Sequence, residues 1–248
     1  MIGLILGETE LGKIIVRKLN FLKKEFVIID ISKKKIFKRN KNSYSLSIGQ
    51  LGKAVSILKK NKCKEIIFAG KVVRPNLHKT KFDFKALYYL PKLFKQFKKS
   101  DSSIIKLIIK IFEKEGFKII NSMRFTQELV LKKGIYTKAK PNKINKKDIK
   151  KGKTIMNDIK EHNVGQAIIV RNNQIIGIET HDGTDSMIKR AYNLIKLLPK
   201  NNKKQGILLK HPKKNQDLRI DLPTVGAKTI NMCAKVGLRG IVMKANSN

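Results

Sequence analysis

Acidic residues, tryptophan and cysteine are scarce in this sequence. Its 248 residues include 18 Asp and Glu against 56 Lys and Arg, which gives a formal net charge of +38, and no tryptophan. The two cysteines, Cys63 and Cys233, are too few for a disulfide framework or a zinc site, and both lie in apolar-leaning stretches. We therefore expect buried, reduced thiols in a cytoplasmic protein.

Long apolar runs are absent as well. A membrane-spanning helix needs roughly 18 consecutive apolar residues, and even the stretch 104–112 is interrupted by Lys106 and Lys110. The apolar run at residues 2–6 has no basic region before it and is too short for a signal peptide. The sequence therefore predicts a protein that does not span a membrane.

Arginine is rare among the basic residues, with 8 Arg against 48 Lys. Clustered cations bind phosphate by releasing counterions, so the charge first suggests a nucleic-acid partner. However, a protein that reads bases is expected to hold more arginine, the residue suited to bidentate contacts. Abundant Lys, Ile and Asn are typical of an AT-rich coding sequence. We therefore predict no nucleic-acid partner and keep a non-catalytic nucleic-acid-binding protein as the weaker alternative.

Short apolar runs and helical periodicity alternate along the first half of the chain. Buried strands are predicted at 2–6, 26–31 and 65–69, separated by amphipathic helices at 11–22 and 50–60. Alternation of strand and helix predicts a parallel sheet. We therefore predict a Rossmann-like α/β domain at the N-terminus.

The lysine-rich stretch 132–147 has little apolar content and is typical of a linker. A second alternation of helices and strands follows it and indicates another α/β unit. The predicted organisation is a Rossmann-like domain at 1–131, a Lys-rich linker at 132–147 and a C-terminal α/β catalytic domain at 148–248. A cleft between two such domains is the expected place for a ligand.

Two glycines after the first strand resemble known phosphate-binding loops. As a P-loop, the motif has Ile14 where Ser or Thr would hold magnesium. As a dinucleotide fingerprint, it has Gly7, Gly12 and a ribose ligand in Asp30, but Thr9 replaces the second glycine. A tight turn explains these glycines equally well, and an NAD(P)-binding oxidoreductase is the alternative function.

Acids are concentrated between residues 161 and 188, where four acids accompany a single basic residue, Arg171. Glu179, Asp182 and Asp185 among them stand around a predicted strand-to-helix loop. Carboxylate oxygens there could bind Mg²⁺ together with substrate phosphate. Alternatively, Asp182 forms an Asx-turn, Thr184 caps the helix and Asp185 complements its dipole.

The last acids of the chain alternate with an arginine. Asp217, Arg219 and Asp221 have a spacing that would direct them to one side of an extended segment. Carboxylates beside a guanidinium could bind a metal while the guanidinium binds phosphate. A surface ion-pair ladder is the other interpretation.

Five segments together resemble one known family, the magnesium-dependent UDP-2,3-diacylglucosamine pyrophosphatases of lipid A biosynthesis. The resemblance covers nearly the whole chain in order, and the last segment is highly specific. The segments are Ile48-Gly49-Gln50-Leu51-Gly52, Phe68-Ala69-Gly70-Lys71-Val72-Val73-Arg74-Pro75, Val164-Gly165-Gln166-Ala167, Glu179 with Gly183-Thr184-Asp185, and Gln216-Asp217-Leu218-Arg219-Ile220-Asp221-Leu222-Pro223-Thr224-Val225-Gly226. The chain departs from the family in its opening loop, Gly7-Glu8-Thr9-Glu10, and relatives usually continue with a further closing segment.

The resemblance implies hydrolysis of UDP-2,3-diacylglucosamine at the α-phosphorus, giving UMP and 2,3-diacylglucosamine 1-phosphate, with Mg²⁺ as cofactor. It assigns catalysis to Asp221, Asp217, Arg219 and Asp185, and the metal to the three aspartates. A metal held by Asp221, assisted by Asp217 or Asp185, would activate a water, and Arg219 with Lys71 or Lys213 would neutralise phosphate charge. The substrate-binding residues it implies are Glu10, Gly49, Gln50, Gly70, Lys71, Arg74, Glu179, Thr184, Lys213, Gln216 and Thr224.

The partners expected from this reading are the UDP-linked lipid and the anionic cytoplasmic face of the inner membrane. Residues 82–98 interleave aromatic and basic side chains, which is typical of an interfacial amphipathic segment. The other interpretation is a helix that faces the core with a lysine-rich outer face. A homodimer is a further expectation.

Overall fold

A computed structural model describes residues 1–71, 80–97, 101–162, 164–197, 205–213, 217–220 and 222–246. The chain divides into two compact units. The first contains residues 1–129 and 217–221, and the second contains residues 130–216 and 222–248. The acidic segment at 217–221 is therefore assigned to the same unit as the N-terminal half of the chain, whereas the residues that flank it in sequence are assigned to the second unit.

A parallel five-stranded sheet forms the centre of the first unit. Its strands are β1 (Ile2–Leu6), β2 (Phe26–Asp30), β3 (Ser43–Ser45), β4 (Glu65–Ala69) and β5 (Lys118–Ile119). They lie in the order β3-β2-β1-β4-β5. From β1, the chain adds β2 and β3 on one side and then β4 and β5 on the other, so the strand order reverses between β1 and β4. Ligands of open parallel sheets bind at such a point, outside the carboxyl ends of the strands.

Helices cover both faces of this sheet because alternate strand residues point to opposite sides. The helices of the first unit are α1 (Glu10–Phe21), α2 (Leu51–Lys60), α3 (Phe84–Phe97) and α4 (Asp101–Lys114). Val27 and Ile29 of β2 pack with α2 and α4, whereas Ile28 packs with Ile15 and Leu19 of α1. Burial of each such side chain contributes roughly 1.5–3 kcal/mol.

The second unit contains a four-stranded mixed sheet in the order β7-β6-β8-β9. Its strands are β6 (Ala167–Arg171), β7 (Gln174–Ile178), β8 (Ile207–Lys210) and β9 (Gly240–Met243), and its helices are α5 (Lys143–Asp158), α6 (Gly183–Lys196) and α7 (Ala227–Val236). Strand β6 is antiparallel to β7 and β8, whereas β8 and β9 are parallel. Ile168 packs with Met156 of α5, and Ile169 packs on the opposite face with Met187 of α6 and Cys233 of α7.

Helix α5 begins at Lys143, inside the stretch predicted as a linker. The Asn142 side chain accepts a hydrogen bond from the Asn145 backbone N–H, and the Asn145 side chain accepts one from the Asn142 backbone N–H. These two bonds form a capping box. This box supplies two of the partners that the first turn of a helix lacks. The segment predicted as a linker from its polar composition is therefore helical from Lys143 onward.

The prediction of two α/β domains, the first with a parallel sheet, is confirmed by this architecture. Strand β3 was not expected, because its sequence Ser-Tyr-Ser has no apolar run and it lies at the sheet edge beside β2. Within the described ranges, no helix is long and apolar enough to cross a membrane.

Candidate functional site

The loops that follow β1 and β4 are bonded to each other where the order of the sheet reverses. The Gly7 N–H donates to the Ala69 carbonyl at 2.9 Å, and the Glu8 N–H donates to the Lys71 carbonyl at 2.8 Å. A Cβ at Gly7 would lie 2.4 Å from the Lys71 oxygen, and Gly70 has φ of +93°. Glycine is therefore needed here for a close approach of two backbones.

Asp30, the ribose ligand of the dinucleotide interpretation, is fully buried and bonded within its own loop. One carboxylate oxygen accepts the Ser32 N–H at 3.0 Å and the Ser32 hydroxyl at 2.6 Å, and the other accepts the Phe37 N–H at 2.9 Å. Gly12 lies against the Phe37 ring, 3.0 Å from the position of a Cβ. These contacts favour the interpretation of a structural turn over a cofactor loop.

Three predicted substrate-binding residues lie at helix starts in the first unit. Glu10 opens α1, is largely exposed and pairs with Lys13 at 2.7 Å, and the hydrogen bond from Lys13 lowers the pKa of Glu10. Gln50 precedes α2 and accepts the Ser47 N–H at 2.8 Å. The Gly49 carbonyl accepts the Asp83 N–H at 3.0 Å, so Gly49 and Gln50 together hold the entry to α2.

The structure brings Asp217 and Arg219 together in a turn. Ile220 N–H donates to the Asp217 carbonyl at 3.1 Å, and the Arg219 N–H donates to the Asp217 carboxylate at 3.0 Å. The expectation of an extended segment is therefore wrong at these residues. An aspartate side chain that accepts the backbone N–H two residues later in the sequence stabilises a turn. This bond therefore favours a turn at Asp217 over an extended backbone.

The Arg219 guanidinium bridges two carboxylates of the first unit. Its Nε and Nη2 atoms lie 3.0 and 2.8 Å from the oxygens of Asp217, and its Nη1 atom lies 3.0 Å from Glu113. Hydrogen bonding to Arg219 holds the pKa of Asp217 below its ordinary value, and the Asp217 carboxylate raises the pKa of Arg219. Asp217 is therefore ionised over the whole physiological range.

A polar network joins Glu179, Thr184, Lys210 and Thr224 in the second unit. The Thr184 hydroxyl donates to the Glu179 carboxylate at 2.6 Å. The Lys210 ammonium donates to the Thr184 hydroxyl and to the Thr224 carbonyl, both at 3.1 Å. Glu179 and Lys210 are only 6% and 7% exposed. A Cβ at Gly165 would lie 2.0 Å from the Glu179 carbonyl oxygen, so Gly165 is required for this packing.

The start of α6 differs from the capping interpretation. Asp182 is the residue before the helix but makes no side-chain cap, and it pairs instead with Arg190 and with the Thr180 hydroxyl. Thr184 lies inside the helix and bonds Glu179 rather than capping. Asp185 pairs with Lys228, the second residue of α7, at 2.5 Å.

The described carboxylates do not form a closed metal cage. Within the part of the chain that the structure describes, no group of three His, Cys, Asp or Glu residues could hold an ion. Asp217 shares both oxygens with Arg219, and Asp185 gives one oxygen to Lys228. Mg²⁺ commonly takes only one or two carboxylates and completes its shell with water and phosphate oxygens.

Three predicted site residues, Arg74, Gln216 and Asp221, lie outside the described residues. Lys213 follows β8 and is half-buried. Lys210, a member of the network with Glu179 and Thr184, was not predicted from the sequence, because one lysine does not stand out in a chain with 48 lysines. The feature that could have identified it is its position at the end of the buried strand β8, directly after Leu209.

Comparison with known proteins finds two family models in order along the chain. The LpxI N-terminal domain matches residues 1–129, and the LpxI C-terminal domain matches residues 132–248. A relative in Caulobacter vibrioides, the UDP-2,3-diacylglucosamine pyrophosphatase LpxI, is 33% identical over 201 residues. That alignment covers 81% of this chain and 72% of the relative.

Proposed function

Because this chain belongs to the LpxI family, we propose that it hydrolyses UDP-2,3-diacylglucosamine in lipid A biosynthesis. The match to both family domains over nearly the full length is the observation that carries the proposal. In the reaction, the oxygen of a water bonds to one phosphorus of the diphosphate while the bond from that phosphorus to the bridging oxygen breaks. The products are UMP and 2,3-diacylglucosamine 1-phosphate; attack at the α-phosphorus leaves the bridging oxygen on the sugar phosphate, and attack at the β-phosphorus leaves it on UMP.

Arg219 is suited to stabilise charge on the reacting phosphate. A guanidinium has five N–H donors, and the bonds to Asp217 and Glu113 use one each on Nε, Nη1 and Nη2. The other two N–H groups make no hydrogen bond to the described residues and could bind phosphate oxygens, while the two carboxylates fix the plane of the group. We assign Lys71 and Lys213 the same electrostatic role, because preorganised cations lower the barrier where negative charge develops.

Mg²⁺ is the cofactor that we propose, with Asp221, Asp217 and Asp185 as its candidate ligands. Bound Mg²⁺ would supply Lewis-acid polarisation of a phosphoryl oxygen and a more acidic water. The support is chemical: Asp217 is kept ionised by Arg219, and ionised oxygens are the ligands that this ion prefers. Asp221 is our first choice as the essential ligand.

The proposed substrate contacts follow strand and helix ends. Gly70 and Lys71 come after β4, Glu179 and Thr184 surround the entry to α6, and Lys213 follows β8. Loops at such places carry binding residues on a rigid scaffold. The other members of the proposed set are Glu10, Gly49, Gln50, Arg74, Gln216 and Thr224.

We also propose that the protein works at the cytoplasmic face of the inner membrane, since its substrate carries two acyl chains. The support is helix α3, whose Phe84 and Tyr88 side chains are 91% and 70% exposed. Leu87 and Phe94 are also exposed, so one helical stripe of large apolar groups faces outward. Ala86 and Tyr89 face the core instead. A homodimer stays a prediction.

The test is release of UMP from purified UDP-2,3-diacylglucosamine in ¹⁸O-labelled water. We expect magnesium-dependent release of UMP, and the product that carries the label identifies the phosphorus that water attacks: UMP for the α-phosphorus and the sugar phosphate for the β-phosphorus. Treatment with EDTA should stop the reaction and added Mg²⁺ should restore it.

Replacement of Asp221 tests the proposed metal ligand. Asp221→Asn is expected to lower turnover by about 100-fold or more while substrate still binds. Asp158→Asn, at the exposed end of α5, is the matched control and should behave as wild type. If the Asp221→Asn variant keeps more than about a tenth of the wild-type rate, Asp221 is not an essential metal ligand. Absence of UMP with the wild-type protein would exclude the activity itself.

A further inference from the structure

Three neighbouring strands of the second unit have an end at the same place, on the face of the sheet that α5 covers. Side chains of a strand alternate between the two faces, and the residues that pack toward α5 include Ile168 of β6, Leu209 of β8 and Val242 of β9. Gln166, His211 and Lys244 each lie two residues from one of these and share their face. The pairing of β6 with β8 continues to this level, since the His211 N–H donates to the Gln166 carbonyl at 2.8 Å. A histidine therefore lies here between a glutamine and a lysine.

Helix α5 and the 3₁₀ turn that follows it bring two more lysines to this place. Met156 packs on the sheet, and Lys153 and Lys160 lie three residues before it and four residues after it, which places them beside it on one side of the helix. His211 is half-buried. Its burial, and after that the charges of Lys244, Lys153 and Lys160, lower the pKa of His211. The imidazole is therefore neutral at pH 7, with three cations near it.

The charges that act on His211 are all positive. The acids nearest to Lys160 in the sequence, Asp158 and Glu161, are both exposed. Like charges that are held near one another repel, and the repulsion is stronger beside protein than in bulk water. An anion bound among the three lysines would remove this repulsion and receive charge-assisted hydrogen bonds.

Gln166 adds a requirement that charge alone does not meet. Its Oε1 atom is buried and accepts no hydrogen bond from the described residues. A buried acceptor without a donor is costly, so the ligand that fits this place carries an O–H group as well as negative charge. Phosphate that keeps a proton supplies both, and a phosphate monoester holds its second proton up to about pH 6. Sulfate supplies the charge alone.

We infer that Lys153, Lys160, Lys244, His211 and Gln166 form a binding site for inorganic phosphate or for the phosphate monoester of a lipid headgroup. We call it the His211 site. A neutral imidazole has one N–H donor, and an imidazolium has two, so bound phosphate favours protonation of His211. None of these residues belongs to the set proposed for hydrolysis, and the inference therefore does not depend on the proposed function.

Calorimetric titration of the full chain with sodium phosphate, at pH 7 and constant ionic strength, tests the site. We expect saturable binding by wild type and binding about tenfold weaker by Lys244→Gln, because one charge-assisted hydrogen bond is lost. Lys244 is exposed, so the variant should fold. The matched control is Lys147→Gln, on the exposed face of α5, which removes the same charge and should bind as wild type does. Equal weakening by both variants would show that phosphate responds only to net charge, and would overturn the inference.

Sulfate tests the part played by Gln166. Wild type should bind sulfate about tenfold more weakly than phosphate, because sulfate leaves the Gln166 oxygen without a donor. Gln166→Leu should remove this difference. Equal binding of the two anions by wild type would overturn the assignment of phosphate as the ligand.

NMR titration of the histidines locates the bound phosphate. Phosphate should raise the pKa of His211, because a nearby anion favours the imidazolium. His181, in the loop before α6, is the reference for the proposed substrate contacts. A change at His181 without a change at His211 would place the phosphate at those contacts and overturn the inference.

Vesicles distinguish the two sources of phosphate. Phosphatidic acid carries a phosphate monoester and phosphatidylglycerol a diester, and the two kinds of vesicle are matched for surface charge. A preference of wild type for phosphatidic acid that Lys244→Gln loses identifies a lipid headgroup as the ligand. Equal binding to both vesicles, together with saturable binding in solution, identifies free phosphate. Absence of binding in solution and of any preference between the vesicles overturns the inference.

Discussion

Asp217 and Arg219 are two residues apart and form both a turn and an ion pair. The carboxylate accepts the Arg219 backbone N–H and two side-chain donors, and Glu113 binds the remaining arm of the guanidinium. Arg219 is partly exposed, which limits the stability that the pair contributes, since solvent screens exposed charges. The main effect of the ion pair is to orient the Arg219 guanidinium and to keep Asp217 ionised.

The pair has a defined dependence on pH. The pKa of Asp217 is lower in the folded chain than in the unfolded chain, where it is about 3.9. The stabilisation is therefore present above pH 3.9 and is lost as the pH falls through the folded-state pKa.

Arg219→Met should raise the pKa of Asp217 toward its ordinary value. It should also lower the free energy of unfolding at pH 7 by about 1 kcal/mol, because the pair is partly exposed. NMR titration of the Asp217 carboxyl carbon and urea unfolding measure the two effects. A pKa that does not move in the variant would contradict the interaction.

Burial also sets the character of the two cysteines. Both are free and buried, as the sequence predicts. Burial raises the pKa of the Cys63 thiol, and it raises the pKa of Cys233 to about 11. Both groups are therefore thiols at neutral pH, and neither has the low pKa of a reactive cysteine.

Asp83 connects two elements of the first unit. Its Oδ1 accepts the Ala86 N–H in the first turn of α3, and its Oδ2 accepts the Lys53 N–H in the first turn of α2. A carboxylate at a helix start is favoured both by these donors and by the helix dipole. One side chain thus caps two helices that begin 33 residues apart in the sequence.

Loss of this double cap should cost more than loss of a single cap. Asp83→Ala is expected to lower the free energy of unfolding by about 2 kcal/mol, since one cap contributes roughly 1 kcal/mol. Asn142→Ala, which affects only α5, serves as the comparison and should cost about 1 kcal/mol. Urea unfolding followed by circular dichroism measures both. Equal losses would show that Asp83 supports one helix only.

At the scale of the whole molecule, the charge of +38 and the α3 stripe would both favour the anionic membrane surface that we propose as a partner. Basic residues are attracted to anionic lipid within a Debye length, and salt weakens that attraction. Apolar insertion is not weakened in this way. Lys92 lies 5.9 Å from the ring centres of Tyr88 and Tyr89, so a cation stands at the border of the exposed stripe.

Vesicle binding separates the two contributions. We expect wild type to bind vesicles containing phosphatidylglycerol and to keep part of this binding in 0.5 M NaCl, roughly the salt range where exposed charges are screened. Phe84→Ser with Tyr88→Ser should weaken the salt-resistant binding by about tenfold or more, because large apolar groups are lost.

The matched control for this experiment is Phe21→Ser. Phe21 is 81% exposed at the end of α1, outside the α3 stripe, and its replacement should have no effect. Complete release of wild type by modest salt, or equal binding of the double variant, would exclude insertion of α3.

Local patterns in the sequence determined the two α/β units, the buried cysteines and the segments shared with the family. Strand alternation and amphipathic spacing are short-range properties, and the residues that show them also build the elements. The same patterns missed β3, since an edge strand such as Ser-Tyr-Ser needs no apolar run. They also missed the start of α5, where a capping box outweighs polar composition.

Only the tertiary structure decided which acids and bases meet. The pairing of Arg219 with Glu113, 106 positions away, and the inclusion of residues 217–221 in the first unit depend on contacts between distant parts of the chain. The burial of Lys210 depends on the pairing of β8 with β6 and on the loops around it. Composition does not distinguish one lysine from another, whereas burial and hydrogen bonds from distant segments give Lys210 an environment that the other described lysines lack.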